Sequence, residues 1–302
     1  METLGYHADF LGDEFAFDLP TISFEHLSDV VTPDGNEGPQ LHYPNYSVVM
    51  NGMTRQAFYS AANADFSKNT GKGRSFRIDG RIDEALQLDN IYYKDLGAVK
   101  NPYDRGHLTR RDAISWGPTK KRANKASRDS CYYPNVVLQH KNFNRDEWYA
   151  LEKAIELNKT DADNRFYILC GPVFSEVDRF VIPNSTLEPG RVPSAFWKVI
   201  AYVGKESGEL EINAFLVFQD DESMLSLGQV LGNNSLDPFK SYQSSTTLIE
   251  QLTGLEFPEI AFDNNPMFFF ESDATRKSGI TTPQLHEVSP SHGADCGICF
   301  KQ

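Results

Sequence analysis

Two runs of residues constrain this fold most. Residues 196–203 and 210–218 alternate or run apolar on either side of a polar turn at 204–208. Successive side chains of a strand point to opposite faces, so such runs are strands, and the short turn makes them an antiparallel pair. Residues 165–173 and 179–182 are also β-rich, and the runs at 46–50 and 57–61 flank Asn51-Gly52, a hairpin signal. Helical spacing is confined to residues 144–158, where Trp148, Leu151, Ala154 and Ile155 share a stripe, and residues 245–254, where Leu248, Ile249 and Leu252 precede Gly254. Strands and helices without regular β-α-β alternation predict an α+β fold: a mixed, mainly antiparallel central sheet flanked by helices.

With 40% hydrophobic and 24% charged residues over 302 positions, the chain has the composition of a folded globular protein and needs no disulfide staple. No run approaches the ~18 apolar residues of a membrane span. The N-terminus has neither a basic nor an apolar leader segment, so a cytoplasmic setting is expected, with export only by a specialised secretion system. Three parts are expected: an acidic N-terminal segment (1–40) packed on the body through Phe10, Phe15, Phe17 and Phe24, a catalytic domain (41–260) and a polar C-terminal extension (261–302).

The net charge of −13 argues against a nucleic-acid partner, but its distribution argues the other way. Residues 1–54 hold no Lys or Arg and nine acids, whereas residues 100–128 hold nine bases against Asp104 and Asp112. A local field steers an anionic ligand more than the total does. Arg110, Arg111, Lys120 and Lys121 are therefore read as a basic rim for a nucleic-acid backbone, with an ordinary solvated loop as the alternative. The acidic leading segment could shade such a groove, although plain packing is the simpler reading.

Two windows carry chemistry. Tyr103-Asp104-Arg105-Gly106-His107-Leu108 joins a histidine, the usual general base near neutrality, to an arginine that can fork onto a phosphate. Residues 142–152 place Asn144, Trp148 and Glu152 four apart, so on one helix an amide and a carboxylate share a ridge. Both are hard oxygen donors suited to Mg²⁺ or its waters, although a cap at Asn144 and a solvated Glu152 would give the same spacing.

Together, Asp104-Arg105-Gly106-His107 and, 37 residues beyond the His, Asn144 within Phe143-Asn144-x-x-x-Trp148-x-x-Leu151-Glu152 resemble the non-specific DNA/RNA endonucleases of the ββα-metal (His-Me finger) group. Further segments resemble that family in order: Arg74-Ser-Phe-Arg-Ile-Asp79, Pro134-Asn-Val-Val-Leu-Gln-His140, Leu169-Cys-Gly-Pro-Val-Phe174, Phe196-Trp-Lys198 and residues 249–257. Leu138 stands where the family usually has proline. The resemblance covers roughly residues 5–260 and implies a ββα-metal finger over about 104–156.

By that resemblance His107 is the general base and Asn144 the single protein ligand of Mg²⁺ (or Mn²⁺). Glu152 holds the metal's waters, Arg74 and Arg105 grip the phosphate, and Asn135 and Gln139 brace the finger by hydrogen bonds. Asp104 is structural, orienting the turn or Arg105. The implied activity is metal-dependent hydrolysis of DNA and RNA to 5′-phosphate and 3′-hydroxyl ends, in a regulated effector of antiphage defence or a delivered toxin, with a regulatory protein or inhibitor as partner. The alternatives are a catalytically silent nucleic-acid-binding or scaffold protein on the same fold, and an extracellular scavenger. Of the four cysteines, Cys131 and Cys170 are expected to be buried, while Cys296-x-x-Cys299 with His286 and His292 is either a free tail or a zinc site.

Overall fold

The computed structural model describes residues 4–68, 71–157, 164–219, 242–265 and 267. His286, His292, Cys296 and Cys299, with nearly all of the expected extension, lie outside the described residues. The strands are β1 (Thr21–Ile22), β2 (Val30–Val31), β3 (Gln40–Tyr43), β4 (Tyr46–Asn51), β5 (Gln56–Asp65), β6 (Tyr103–His107), β7 (Val136–His140), β8 (Arg165–Val173), β9 (Phe180–Val181), β10 (Gly190–Arg191), β11 (Ala195–Val203), β12 (Leu210–Phe218), β13 (Gln243–Ser244) and β14 (Leu255–Glu256). The helices that matter to the site are α1 (Arg111–Ile114), α2 (Lys120–Asp129), α3 (Lys141–Arg145) and α4 (Glu147–Leu157), with α5 (Thr246–Thr253) on the far side.

Eight strands form the central sheet in the order β13-β12-β11-β8-β5-β4-β2, with β3 also paired to β4. Each pairing within it is antiparallel. The expected pair is β11–β12, in unbroken register from Ala195↔Phe218 to Val203↔Leu210. The 179–182 run instead forms β9, which pairs with β10 apart from the main sheet. The hairpin at Asn51 forms as well, but not on a two-residue turn. The Asn51 side-chain oxygen accepts from the backbone N–H of Met53 and Thr54, and Arg55 takes the left-handed conformation at φ 58°. An asparagine that closes on its own backbone makes a longer turn than Asn-Gly alone signals.

Both faces of the sheet are covered, and strand parity decides which residue goes where. Phe166, Ile168 and Cys170 of β8 point to the face packed by α1–α4, alongside Phe196, Ile200 and Phe215. Tyr167, Leu169 and Val173 point to the other face, with Trp197, Val199 and Leu216. That second face is closed by α5 and by the N-terminal segment through Leu11 and Phe17. The Tyr167 hydroxyl accepts from the Leu11 N–H and donates to the Ala8 carbonyl, and the Tyr59 hydroxyl donates to the Pro20 carbonyl. The acidic segment is thus layered on the sheet.

Helix α5 obeys its local signals. The Ser245 hydroxyl accepts from the Leu248 N–H at 3.1 Å, and Gly254 closes the helix at φ 67°. The expected helix over 144–158 is two helices. Asp146, at φ −116° and ψ −90°, separates α3 from α4, so Asn144 and Glu152 do not share one helical ridge.

Strands β6 and β7 form a two-stranded ribbon of their own, and α3 and α4 follow it. Two glutamines join the free edge of β7 to the body. Gln56 of β5 accepts from the Leu138 N–H and donates to the Arg191 carbonyl. Gln219 accepts from the His140 N–H and donates to the carbonyls of Leu138 and Pro193. Leu138, where a proline would carry no N–H, therefore supplies a donor that this seam uses.

Candidate active site

The ribbon ends at His107, and the chain beyond it is held by Asn135. The Asn135 amide accepts from the Thr109 N–H at 2.9 Å and donates to the carbonyls of Thr109 and Ser130. Gln139 does not brace in the same way: both polar atoms of its buried amide have no hydrogen-bond partner among the described residues. It packs across Gly106, where an added Cβ would lie 2.0 Å from the Gln139 oxygen. Glycine in the motif makes room for a side chain of the facing strand.

A cavity of about 400 Å³ is lined by Arg74, Arg105, His107, Arg110, Arg111, Asp112, Asn144, Arg145, Tyr149 and Glu152. Five arginines face two carboxylates there, so the wall is cationic in an acidic chain. Burial, together with Arg74 and Arg111, pushes the His107 imidazole down to about 4. It is neutral near pH 7, the form that can accept a proton. Its Nε2 lies 3.7 Å from the Cys131 sulfur, and its ring packs 5.5 Å from that of Phe76.

Asn144 donates its side-chain N–H to Asp104 at 3.1 Å. Arg145 clamps the same carboxylate with two bonds of 2.8 Å. Asp104 thus orients Asn144 and Arg145 rather than Arg105, and the amide oxygen of Asn144 is left to accept or to ligate. Arg105 stacks over Phe76 and Tyr93 at 5.2 and 5.6 Å and donates to Asn90. Arg74 is exposed, with its guanidinium 5.1 Å from the centre of the Phe76 ring.

Glu152 sits at the cavity floor, 3.5 Å from the ammonium of Lys198 and 4.0 Å from Arg110. Burial raises its pKa, and the two cations pull it back towards the ionised form. Among the described residues no group of three or more His, Cys, Asp or Glu is placed to hold a metal ion. An ion here would depend on an amide oxygen, a carboxylate and water, and the Asn144 oxygen with Glu152 in one cavity fits a hard, water-keeping cation.

The sequence profile of the DNA/RNA non-specific endonucleases matches residues 26–263. The chain belongs to that family. The protein y4fB of Sinorhizobium fredii (strain NBRC 101917 / NGR234), itself uncharacterized, is 31% identical to this endonuclease-family chain over 270 residues, covering 84% of it. The match spans only 39% of y4fB. The crystal structure of the EndoG/EndoGI complex aligns with a TM-score of 0.53 at 18% identity, over 74% of this chain and 86% of the other, a likeness of fold. No helix among the described residues is long and apolar enough to cross a membrane.

In this family member the motif residues Arg74, Arg105, His107, Asn144 and Glu152 meet in one cavity, while the basic rim divides. Arg110 and Arg111 are in the wall, but Arg110 is engaged by Asp112, Glu152 and Glu156, and Arg111 by Asp112. Lys120 and Lys121 are exposed at the start of α2 and do not line the cavity. His140 turns away to accept from the Asn142 N–H at the start of α3. Cys131 and Cys170 are both free and buried, as expected. Three contributors escape a reading by motif: Phe76, which touches His107, Arg74 and Arg105; Cys131, against His107; and Lys198, buried beside Glu152. The aromatic in Arg74-Ser-Phe76 and the lysine in Phe196-Trp-Lys198 were the available signals.

Proposed function

We propose that this chain is a metal-dependent, sugar-non-specific endonuclease that hydrolyses phosphodiester bonds of DNA and RNA, leaving 5′-phosphate and 3′-hydroxyl ends. The observation that carries this reading is the convergence of a neutral His107, the Asn144 amide oxygen, Glu152 and the paired Arg74 and Arg105 on one cationic cavity. His107 takes the proton of the attacking water. Its Nε2 faces the Cys131 sulfur, so Nδ1 is the nitrogen turned to that task. Arg74 and Arg105, both stacked on Phe76, bind the non-bridging phosphate oxygens and stabilise the charge that builds on phosphorus.

Asn144 would hold Mg²⁺ or Mn²⁺, with Glu152 orienting its waters and Asp104 holding Asn144 in place. When bound, that ion supplies charge neutralisation at phosphorus and at the leaving oxygen. Arginines that grip phosphate position the strand without reading bases, so little sequence preference is expected.

The decisive experiment is cleavage of plasmid and of RNA by purified protein with Mg²⁺, with Mn²⁺ and with EDTA, beside His107→Ala. Cutting of both by wild type, only with metal and not by the variant, supports the reading. Binding in EDTA without cutting under any condition points to a silent binding protein. As biological setting we propose a cytoplasmic effector held in check by a protein inhibitor, since a nuclease without sequence preference endangers its own cell. The EndoG/EndoGI structure, titled as a mechanism of EndoG inhibition, gives that idea a precedent in a similar fold.

A further inference from the structure

A second cavity, of about 420 Å³, lies beside the first and shares Arg74, Arg105, Asn144 and Arg145 with it. We infer that this chamber seats the nucleotide unit on the 5′ side of the scissile phosphate, the part that departs with the 3′ oxygen. The inference rests on the endonuclease reading above and specifies its substrate site.

Three observations lead there. The first is placement. The shared wall carries the groups assigned to the phosphate, whereas His107 lines only the first cavity. In an in-line displacement the leaving oxygen lies opposite the attacking water. Water activated on the His107 side therefore sends the leaving nucleoside to the other side, where the second chamber is.

The second is an unsatisfied donor. Tyr93 lines this chamber and is only 8% exposed, yet its hydroxyl has no hydrogen-bond partner among the described residues. The Nε of Arg105, in the shared wall, is buried and unpartnered as well. Buried donors are normally paired, so these two, closed off from solvent on residues that line the chamber, mark where a ligand oxygen belongs once a small side-chain shift admits it. Arginines 74, 105 and 145 outnumber Asp104 in the lining, so that ligand is anionic, as a sugar-phosphate is.

The third is the kind of base contact on offer. Tyr103 lines the chamber with an aromatic ring, which stacks on any base. Asn101, the side chain best suited to read a base edge, is fully engaged. It donates to the carbonyls of Tyr92 and Lys94 and accepts from the Tyr103 N–H. The chamber stacks on a base without identifying it.

The test uses short oligothymidylates with one cleavable phosphodiester flanked by methylphosphonates, carrying an abasic residue either 5′ or 3′ of that bond. Wild type should lose about tenfold in kcat/KM when the 5′ base is absent, and much less when the 3′ base is absent. Tyr103→Ala should show the same loss on the complete substrate and no further loss on the 5′-abasic one. Tyr93→Phe keeps the ring and its packing, so it tests the hydroxyl without threatening the fold; it should lower kcat/KM several-fold on both. In EDTA, anisotropy should show weaker binding of the complete oligonucleotide to Tyr103→Ala than to wild type. Cutting with equal 5′ and 3′ dependence, or a 5′ dependence that survives in Tyr103→Ala, overturns the chamber while leaving the nuclease standing. If nothing is cut, the endonuclease reading fails, and unchanged binding by both variants then overturns the chamber too.

Discussion

Trp197 and Lys198 are neighbours on β11, both buried, and they face opposite sides of the sheet. Trp197 enters the face closed by α5 and the N-terminal segment, among apolar and aromatic side chains. Lys198 enters the face covered by α1–α4, where it lies 4.3 Å above the Trp148 ring and 3.5 Å from Glu152. Both faces carry a buried apolar core, but the α1–α4 face also holds charges close to their partners, where ion pairs hold only if geometry is maintained. The contrast teaches that strand parity decides which β11 side chain meets charge and which enters the quiet face.

The largest effect expected separates the two faces outright. His107→Ala should lower turnover by about 10²- to 10⁴-fold with little change in Tm. Leu169→Ala, on the quiet face, should cost about 2–5 kcal/mol of stability while specific activity of the folded fraction is kept. A Leu169→Ala protein that is stable but slow would break the comparison. As the proposed base, the same histidine should set the acid limb of kcat/KM, which should fall near pH 4 rather than at the ordinary imidazole value of 6.5. Its folded pKa lies below its unfolded one, so between those values the unfolded chain binds the extra proton and this group makes stability rise with pH. His107→Ala should flatten that slope in denaturation curves taken across the same window.

Lys198→Met should come next. It leaves Glu152 without its nearest cation, and stability should fall by about 3 kcal/mol by urea titration. Metal-supported activity should fall with it, because Glu152 then shifts towards its protonated form. Retention of both would show that Arg110 alone keeps Glu152 ionised. Gln219→Ala removes the acceptor for the His140 N–H and should cost about 1–3 kcal/mol, with extra loss of activity from a displaced ribbon. The smallest effect belongs to Lys120→Ala with Lys121→Ala, outside the cavity. Binding should weaken less than twofold in physiological salt, and the salt slope should change slightly in a titration from low to high ionic strength.

The parts of this molecule legible in its sequence are those built from local pattern or fixed spacing. The β11–β12 pair follows from two alternating runs and one turn, and α5 from a serine and a glycine at its ends. Asp104-Arg105-Gly106-His107 and Asn144 could be placed in one site only through the family that their motifs resemble. What stayed hidden depends on distant partners. A period of 3.6 residues runs through Asp146 unbroken, yet the backbone turns there, and Asn144 is instead aimed by Asp104 on β6. Arg110 and Arg111 read as a basic rim, and the engagement of Arg110 by Glu152 and Glu156, some forty residues away in sequence, emerges only in the fold. Gln139 looked like a hydrogen-bonding brace, since the amide's lack of a partner over Gly106 emerges only once β6 and β7 face each other.

The seam between ribbon and body is made by side chains. A main-chain ladder moves in whole-residue steps, because a slip of one residue turns every side chain to the wrong face. Gln56 and Gln219 instead suspend β7 by side chains, whose reach changes by about 1.5 Å when one methylene is lost or gained. The height of His107 and Asn144 above the sheet is therefore adjustable in increments finer than the backbone allows. A Gln-to-Asn change at either position, one methylene shorter but with the same donor and acceptor, gives an engineer, or natural variation, a way to retune the alignment of the proposed catalytic groups without altering one of them.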